Sequence, residues 1–188
     1  MPELLPVQVE VAVQDCFFAP TAASAPVAEE IWQDWFQQWL AVLKPSFAEL
    51  HSPPELDLSS IYSYELSLRL TDDAEIQALN AQYRHINQPT DVLAFAALEV
   101  EYPQLEEQSD QPLYLGDIVI SVETAQTQAE QQQHSLQQEL AWLGAHALLH
   151  LLGWDHPDEA SLLCMLKQQE VLLQTVGLQT HYYQGDKA

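Results

Sequence analysis

The stretch "SLQQELAWLGAHALLHLLG", residues 135–153, predicts a helix around which the remaining segments of the sequence can be arranged. Its residues follow a helical pattern as far as Gly153. The pattern ends there because only glycine enters the left-handed helix-ending conformation without steric cost. We therefore expect one long, central helix in this region.

The segments outside this helix predict both strands and helices. Alternating or short apolar stretches typical of strands lie at residues 7–13, 61–70, 90–97 and 114–121. Helical patterns lie at residues 27–43, 72–84, 122–133 and 157–177. Strands mixed with helices, followed by an all-helical stretch, predict an α+β fold. We expect a single domain, 1–188, with a roughly four-stranded mixed sheet packed against about five helices.

Some local features give sharper expectations. In the first helix an apolar stripe is expected to pack into the core; it consists of Ile31, Trp32, Phe36, Trp39 and Leu43. Asp72 and Glu75 resemble a capping box, and Pro157 suits the first turn of the last helix. Gly116 indicates either a bulge or a close backbone approach within a strand. The Pro-rich connector 44–60 and the acidic loop 98–112 are expected to be elaborations.

The composition restricts the class of protein. At 188 residues with 47% hydrophobic residues, the chain is long enough for one substantial core. No apolar run reaches the roughly 20 residues that cross a bilayer, and the N-terminus lacks the pattern of a signal peptide. Cys16 and Cys164 lie too far apart in sequence to indicate a disulfide framework. We expect a cytoplasmic protein that does not bind membranes.

The net charge of −23 is extreme, and no Lys or Arg occurs between Arg84 and Lys167. Such a balance normally argues against binding to nucleic acid, because cationic side chains supply most of the affinity for phosphate. The alternative is an acidic bias that keeps the protein soluble and says nothing about the site. Composition alone leaves both interpretations open.

Residues 146–156, "HALLHLLGWDH", place three histidines within eleven residues. His146 and His150 are four residues apart, so they lie on the same face of a helix, and a turn at Gly153 lets His156 approach them. Three protein ligands with an open position are typical of catalytic zinc sites. We therefore expect one metal site at the end of the central helix.

A structural metal with four ligands is the alternative. It would require another donor, and Cys164 or Asp155 could supply one. Cys164, however, lies among Leu162, Leu163 and Leu166, which favours a buried, apolar role for this side chain.

Ala147 occupies the position at which peptidases with an H-E-x-x-H motif carry their general base. Alanine cannot accept a proton, so hydrolysis of an amide by that route is disfavoured. A phosphodiester mainly requires stabilisation of charge, which a metal and one cation could supply. Arg84 is the candidate cation, because it directly precedes the motif-like segment "HINQPTDVLAF"; a surface arginine at a helix end is the alternative.

Three blocks in order resemble the signature of the bacterial YbeY family. They are "LNAQYRHINQPTDVLAF" (79–95), "LGDIVIS" (115–121) and "HALLHLLGWDHPDE" (146–159), within a resemblance that spans about residues 61–175. The family usually has glycine or serine at Ala147, tyrosine at Trp154 and serine at Ala94. The departure at Ala94 removes one polar group near the cleft, and none of the three affects a ligand.

The resemblance implies a single-strand-specific, zinc-dependent endoribonuclease. It implies action in maturation of the 16S ribosomal RNA 3′ end and in ribosome quality control. The implied partners are single-stranded ribosomal RNA, the small ribosomal subunit and a ribosome-associated protein, with no role for DNA.

The same resemblance assigns roles to individual residues. His146, His150 and His156 are implied as ligands of one Zn²⁺ ion, and Arg84 and His146 as the catalytic residues. Asp91 and Asp117 are implied to shape the cleft, although turn or capping roles suit both equally well.

Two other functions stay open. One is a metallohydrolase of peptides or small amides, in which Glu139, seven residues before His146, would replace the missing base. The other is a non-catalytic ribosome assembly factor whose metal mainly supports the fold.

Overall fold

The computed structural model describes residues 6–21, 24–49, 58–99 and 111–179. Four strands form one sheet in the order β1-β2-β4-β3. The strands are β1 (Gln8–Asp15), β2 (Ser63–Thr71), β3 (Val92–Ala96) and β4 (Leu113–Ser121). β1 and β4 both run parallel to β2, whereas β3 runs antiparallel to β4. The predicted four-stranded mixed sheet is thus confirmed.

Five α-helices accompany the sheet within the described residues. They are α1 (Glu29–Leu43), α2 (Asp73–Arg84), α3 (Val122–Gln132), α4 (Leu136–Leu151) and α5 (Glu159–Thr175). Short 3-10 turns lie at Ala19–Thr21, Lys44–Glu49, Leu58–Ser60 and Ala97–Glu99. The architecture is α+β, as predicted.

The main core lies between one face of the sheet and helices α1, α4 and α5. Alternate residues of β2 point into it, and they are Tyr64, Leu66, Leu68 and Leu70. The opposite face is covered by α2, where Ile76 packs against Leu93 and Val119 in a smaller apolar cluster. The sheet therefore separates a thick apolar layer from a thinner one.

The aromatic stripe of α1 was predicted correctly except at its first position. Trp32, Phe36 and Trp39 are fully buried, and the indole N–H of Trp39 donates to the Leu172 carbonyl of α5 at 2.9 Å. Ile31, in contrast, is 37% exposed. Ile31 therefore lies outside the face of α1 that contacts the core.

Helix α4 is buried on nearly every side. Ser135 and Gln138 form a capping box at its start. At its end, the N–H groups of Gly153 and Trp154 donate to the carbonyls of His150 and Leu149, both at 3.0 Å. This is a Schellman motif, and Gly153 has the left-handed φ of +88° that it requires. The predicted glycine stop is confirmed.

Gly116 combines the two features proposed for it. Glu65 pairs with Tyr114 and Leu66 with Gly116, so Leu115 is an extra residue that bulges β4. Gly116 has a φ of +136°, and a Cβ at this position would lie 2.1 Å from the Phe95 carbonyl oxygen of β3. Strand β3 can therefore approach β4 only because residue 116 has no side chain.

Two predicted helix starts need correction. Asp72 caps α2 by accepting from the Glu75 N–H at 2.8 Å, but the Glu75 carboxylate binds Thr71 and Arg69 instead of closing the box. Pro157 is not in the first turn of α5, because Asp158 is the cap and the helix begins at Glu159. Both helices are thus capped by an aspartate.

Other expectations have mixed outcomes. The predicted strand 90–97 forms β3, an edge strand in which only Leu93 is fully buried. Residues 44–49 form a 3-10 turn, whereas 50–57 and 100–110 lie outside the described residues. Their status as elaborations therefore stays a prediction. None of the helices described here combines the length and apolar character that crossing a bilayer requires.

The contact at Gly116 can be tested by adding one methyl group. Gly116→Ala is expected to lower the free energy of unfolding by roughly 2–4 kcal/mol, because the methyl collides with backbone that cannot move without separating β3 from β4. Gly177→Ala is the control: its φ is also positive, at +76°, but nothing lies within 4 Å of the added Cβ. That control should lose only about 1 kcal/mol. Equal losses in urea unfolding would contradict the close approach.

Candidate metal centre

Three histidines converge at the end of α4. One ligand atom from each of His146, His150 and His156 lies within 4.8 Å of the other two. The Nε2 atoms of His146 and His150 are 3.1 Å apart, and all three side chains are half-buried. The spacing in the sequence thus predicted a real cluster, and such a group could hold a metal ion.

Local geometry explains how the cluster forms. His146 and His150 lie one turn apart on α4, so their rings project from the same face. The Schellman motif at Gly153 then reverses the chain, and His156 follows on the short connection to α5. The His156 N–H donates to the Asp155 carboxylate at 2.8 Å, which fixes the backbone just before the third ring.

The two α4 histidines are already oriented by hydrogen bonds. His146 Nδ1 lies 3.1 Å from Oε1 of Gln169 on α5. The ring of His150 hydrogen-bonds to the backbone of Trp154, and this contact acts to raise the pKa of the ring. The ring is therefore the donor in this hydrogen bond. Each ring thus engages a partner away from the cluster while its Nε2 faces the other ring.

The two rings on α4 favour the neutral form, which is the form that binds metals. The pKa of His150 is lowered to about 4, first by burial and then by the neighbouring His146 and His156. Burial also lowers the pKa of His146, with smaller contributions from several nearby groups. Neutral imidazoles whose Nε2 atoms face each other suit a shared cation, so the residues present fit a divalent metal.

Arg84 and Asp91 both act electrostatically on this cluster. The charge of Arg84 lowers the pKa of His146, and that of Asp91 raises it, so both side chains lie within reach of its field. Arg84 ends α2 and is exposed, and its side chain has no hydrogen bond or ion pair with any residue that the structure describes. A cationic side chain without a partner among the described residues therefore lies within electrostatic reach of His146.

Asp91 has a turn role as well. Its carboxylate accepts from the Val92 N–H at 2.8 Å and from the Gln128 side chain at 3.0 Å. Its carbonyl accepts from the Ser121 N–H at 2.9 Å. Asp91 thus fixes the start of β3 to the end of β4 and to α3, near His146.

Asp117 lies elsewhere. Its carboxylate accepts from Ser67 and, at 2.7 Å, from the Tyr114 hydroxyl. Burial, followed by the hydrogen bond to Asp117, raises the pKa of Tyr114 to about 12. These residues lie on the sheet face that α2 covers, and Asp117 lines a groove of about 460 Å³ there with Ser67, Arg69 and Tyr83. No interaction between Asp117 and the histidines occurs in the described part of the chain.

The candidate additional donors and the candidate base do not join the cluster. Cys164 is exposed, contrary to the expectation of burial, because α5 directs Met165, Leu172 and Leu173 toward the core instead. Glu139 is fully buried, and its carboxylate contacts the His134 ring. Neither Cys164 nor Asp155 belongs to the metal-holding group found among the described residues.

Gln169 is the site residue that the sequence reasoning missed. It is completely buried on α5, at a core-facing position four residues after Met165. A glutamine at a position whose helical spacing predicts burial indicates a hydrogen-bonded side chain, because a buried amide requires partners. One of those partners is a histidine of the cluster.

The model of one protein family, described as endoribonuclease YbeY, matches residues 21–177. A relative named endoribonuclease YbeY from Nostoc sp. is 60% identical over 180 residues, covering 92% of each chain. Another with that name, from Trichormus variabilis, is 59% identical over 180 residues and covers 92% of this chain and 96% of its own.

A solution structure of a protein from Thermotoga maritima has a similar fold. Its TM-score is 0.51 with 20% identity, and the match covers 89% of each chain. At this level of identity the likeness concerns the fold alone, and it agrees with the α+β architecture described above.

The low pKa of His150 leads to a direct test on metal-free protein. The His150 ring is expected to titrate near pH 4 when its Cε1–H resonance is followed by NMR after treatment with a chelator. In the urea-unfolded chain the same ring should titrate near pH 6.5. Because the unfolded state takes up this proton first, its contribution to stability should be lost as pH falls from about 6.5 to 4. A folded-state midpoint near 6.5 would contradict the burial of this ring.

Proposed function

The chain belongs to the YbeY family of endoribonucleases, and from this membership we propose that it is a zinc-dependent endoribonuclease of single-stranded ribosomal RNA. As an endoribonuclease it is a hydrolase that cleaves phosphodiester bonds. The proposed substrate is the 3′ end of 16S ribosomal RNA in its precursor form, and the proposed setting is maturation and quality control of the small ribosomal subunit in the cytoplasm. The observation that carries this proposal is the convergence of three imidazoles, of which His146 lies within the electrostatic reach of Arg84.

In this proposal His146, His150 and His156 bind one Zn²⁺ ion. Three imidazole ligands that leave further positions open are the arrangement of a catalytic zinc site. A bound zinc ion would supply a Lewis acid that withdraws charge from a phosphate oxygen. Three nitrogen ligands also suit other divalent transition metals, and zinc is proposed on the basis of the family and of availability.

Arg84 would then bind the phosphate group that is cleaved. Its guanidinium has five N–H donors in a fixed planar arrangement that matches two phosphate oxygens at once. Arg84 has no partner among the described residues, so contact with a substrate would not require breaking an ion pair. Negative charge that develops on the phosphate would be stabilised from this side of the cluster.

The structure gives little support to the peptidase alternative. Ala147 is fully buried and contributes no proton acceptor, and Glu139 is buried in contact with His134. No carboxylate from the helix that carries His146 is therefore in place to act as the base of an amide hydrolase. A phosphodiester substrate is more consistent with these residues.

The alternative of a fold-supporting metal is also less consistent. The cluster is half-buried at the end of α4, whereas the main core is formed by apolar residues of the sheet and helices without it. Structural zinc sites usually have four protein ligands, and the group found here has three. These features favour a metal that takes part in a reaction.

Substitution of Arg84 and His146 tests the proposal in vitro. Arg84→Ala is expected to reduce cleavage of single-stranded RNA by about 10²–10³-fold, because one cation that stabilises the phosphate is lost. His146→Ala should abolish both stoichiometric zinc binding and cleavage. Lys167→Ala, which removes an equal charge from an exposed position on α5, is the control and should retain activity. Cleavage that survives both substitutions would identify a contaminating nuclease.

The same variants test the substrate in cells that lack the native protein. Precursors with an unprocessed 16S 3′ end should accumulate in those cells, and the Lys167→Ala protein should restore processing. His146→Ala and Arg84→Ala should fail to do so. Normal 16S ends in the deletion strain would count against ribosomal RNA as the substrate.

The net charge of −23 leads to a separate expectation for RNA affinity. With so few cations, recognition is proposed to depend on Arg84, the metal, backbone donors and a ribosome-associated protein. The isolated, metal-free protein should therefore bind single-stranded RNA more weakly than 1 µM at physiological salt, roughly as non-specific binding does. Fluorescence anisotropy with a labelled oligonucleotide measures this affinity. A sub-micromolar dissociation constant without metal would contradict the proposed dependence.

A further inference from the structure

We propose that Gln169 is a positioning residue that sets the tautomer of His146 before a metal binds. Its side chain is completely buried, and it makes two hydrogen bonds to α4. One contact is to the His146 ring and the other to the backbone one turn earlier. The inference rests on the proposed role of His146 as a metal ligand, but its central claim concerns the metal-free protein.

The orientation of the Gln169 amide follows from its second contact. Its Nε2 lies 3.3 Å from the carbonyl oxygen of Trp142, and a carbonyl can only accept. The amide NH₂ must therefore face Trp142, because the reversed orientation would oppose two oxygens. The amide oxygen Oε1 then faces Nδ1 of His146 at 3.1 Å.

The tautomer of His146 follows from that orientation. An amide oxygen has no proton to give, so Nδ1 of His146 must carry the proton and donate it. In the neutral ring the other nitrogen, Nε2, then has a free lone pair. Nε2 is the atom that faces His150, 3.1 Å away. Gln169 thus directs the lone pair of His146 into the cluster.

The same contacts fix the position of the ring. Trp142 and His146 are four residues apart on α4, so the Trp142 carbonyl also accepts the backbone N–H of His146 within the helix. Gln169 therefore spans the ring and the backbone of one helical turn from the adjacent helix α5. Partners of this kind on ligating histidines typically contribute 10–100-fold in metal affinity.

Two substitutions separate positioning from packing. Gln169→Leu removes both hydrogen bonds while approximately keeping the volume, whereas Gln169→Glu keeps an oxygen acceptor toward Nδ1. Zinc affinity, measured by competition with a chromophoric chelator, should fall about 10–100-fold in the leucine variant. It should be higher in the glutamate variant than in the leucine variant, because the acceptor toward Nδ1 remains, but lower than in wild type, because the second carboxylate oxygen opposes the Trp142 carbonyl. Gln168→Leu, the neighbouring and only partly buried position, is the control and should bind zinc normally.

The tautomer is read directly from ¹⁵N chemical shifts of the His146 ring in metal-free protein at pH 8. Wild type and Gln169→Glu should show a protonated Nδ1, and Gln169→Leu should shift toward a protonated Nε2. Circular dichroism and urea unfolding establish that each variant is folded. A protonated Nε2 in wild type, or an unchanged tautomer and affinity in Gln169→Leu, would overturn the proposal. Neither measurement involves RNA, so failure here is distinct from failure of the proposed nuclease activity.

Discussion

Helix α4 is apolar on nearly every side, and the sheet and the other helices are placed so that they bury these apolar side chains. Its apolar residues point in all directions around the axis, including Leu140, Trp142, Leu148 and Leu151. The sheet covers one side, and α1, α3 and α5 supply the others. Gly144 permits the close approach of α1, because a Cβ there would lie 2.9 Å from the Trp32 ring. Polar side chains are tolerated on such a helix only where they find partners, as His146 does with Gln169.

Alternation and helical periodicity predicted most of the architecture, because β1 and β2 each have one buried face and the helices α2 to α5 are capped by aspartate or serine. The orientation of α5 could not be predicted in the same way. Its apolar residues Leu162, Leu163 and Cys164 are consecutive, so they do not define a single face, and all three proved exposed. The face that packs against the core includes Gln169, and a polar residue in that register concealed the pattern. The burial of α5 is decided by tertiary partners that local sequence does not specify.

The candidate site was predictable to the extent that it is local. Three histidines on one helix end and its following turn can be placed from spacing alone, because helix geometry and one left-handed glycine fix them. Arg84 ends another helix and Asp91 precedes an edge strand, and no spacing relates them to His146. Family resemblance suggested both residues, and the fold brings both within electrostatic reach of the ring. Asp117 shares their motif-like context, but strand alternation directs it to the α2-covered face, into a separate groove.

The position of His156 beyond the Schellman motif has a consequence for the order in which folding and metal binding occur. The first two proposed ligands belong to a helix that the apolar core already holds in place, whereas the third belongs to the connection leading into α5. If the cluster binds its proposed metal, folding and metal binding would be separate steps, unlike in zinc fingers, which fold only when the ion binds. An ion that enters after folding is chosen from whatever the compartment supplies, since three imidazoles rank the divalent transition metals only by their intrinsic affinities. The identity of the bound metal would then depend on the concentrations of available metal ions in the cell as much as on the sequence of the protein.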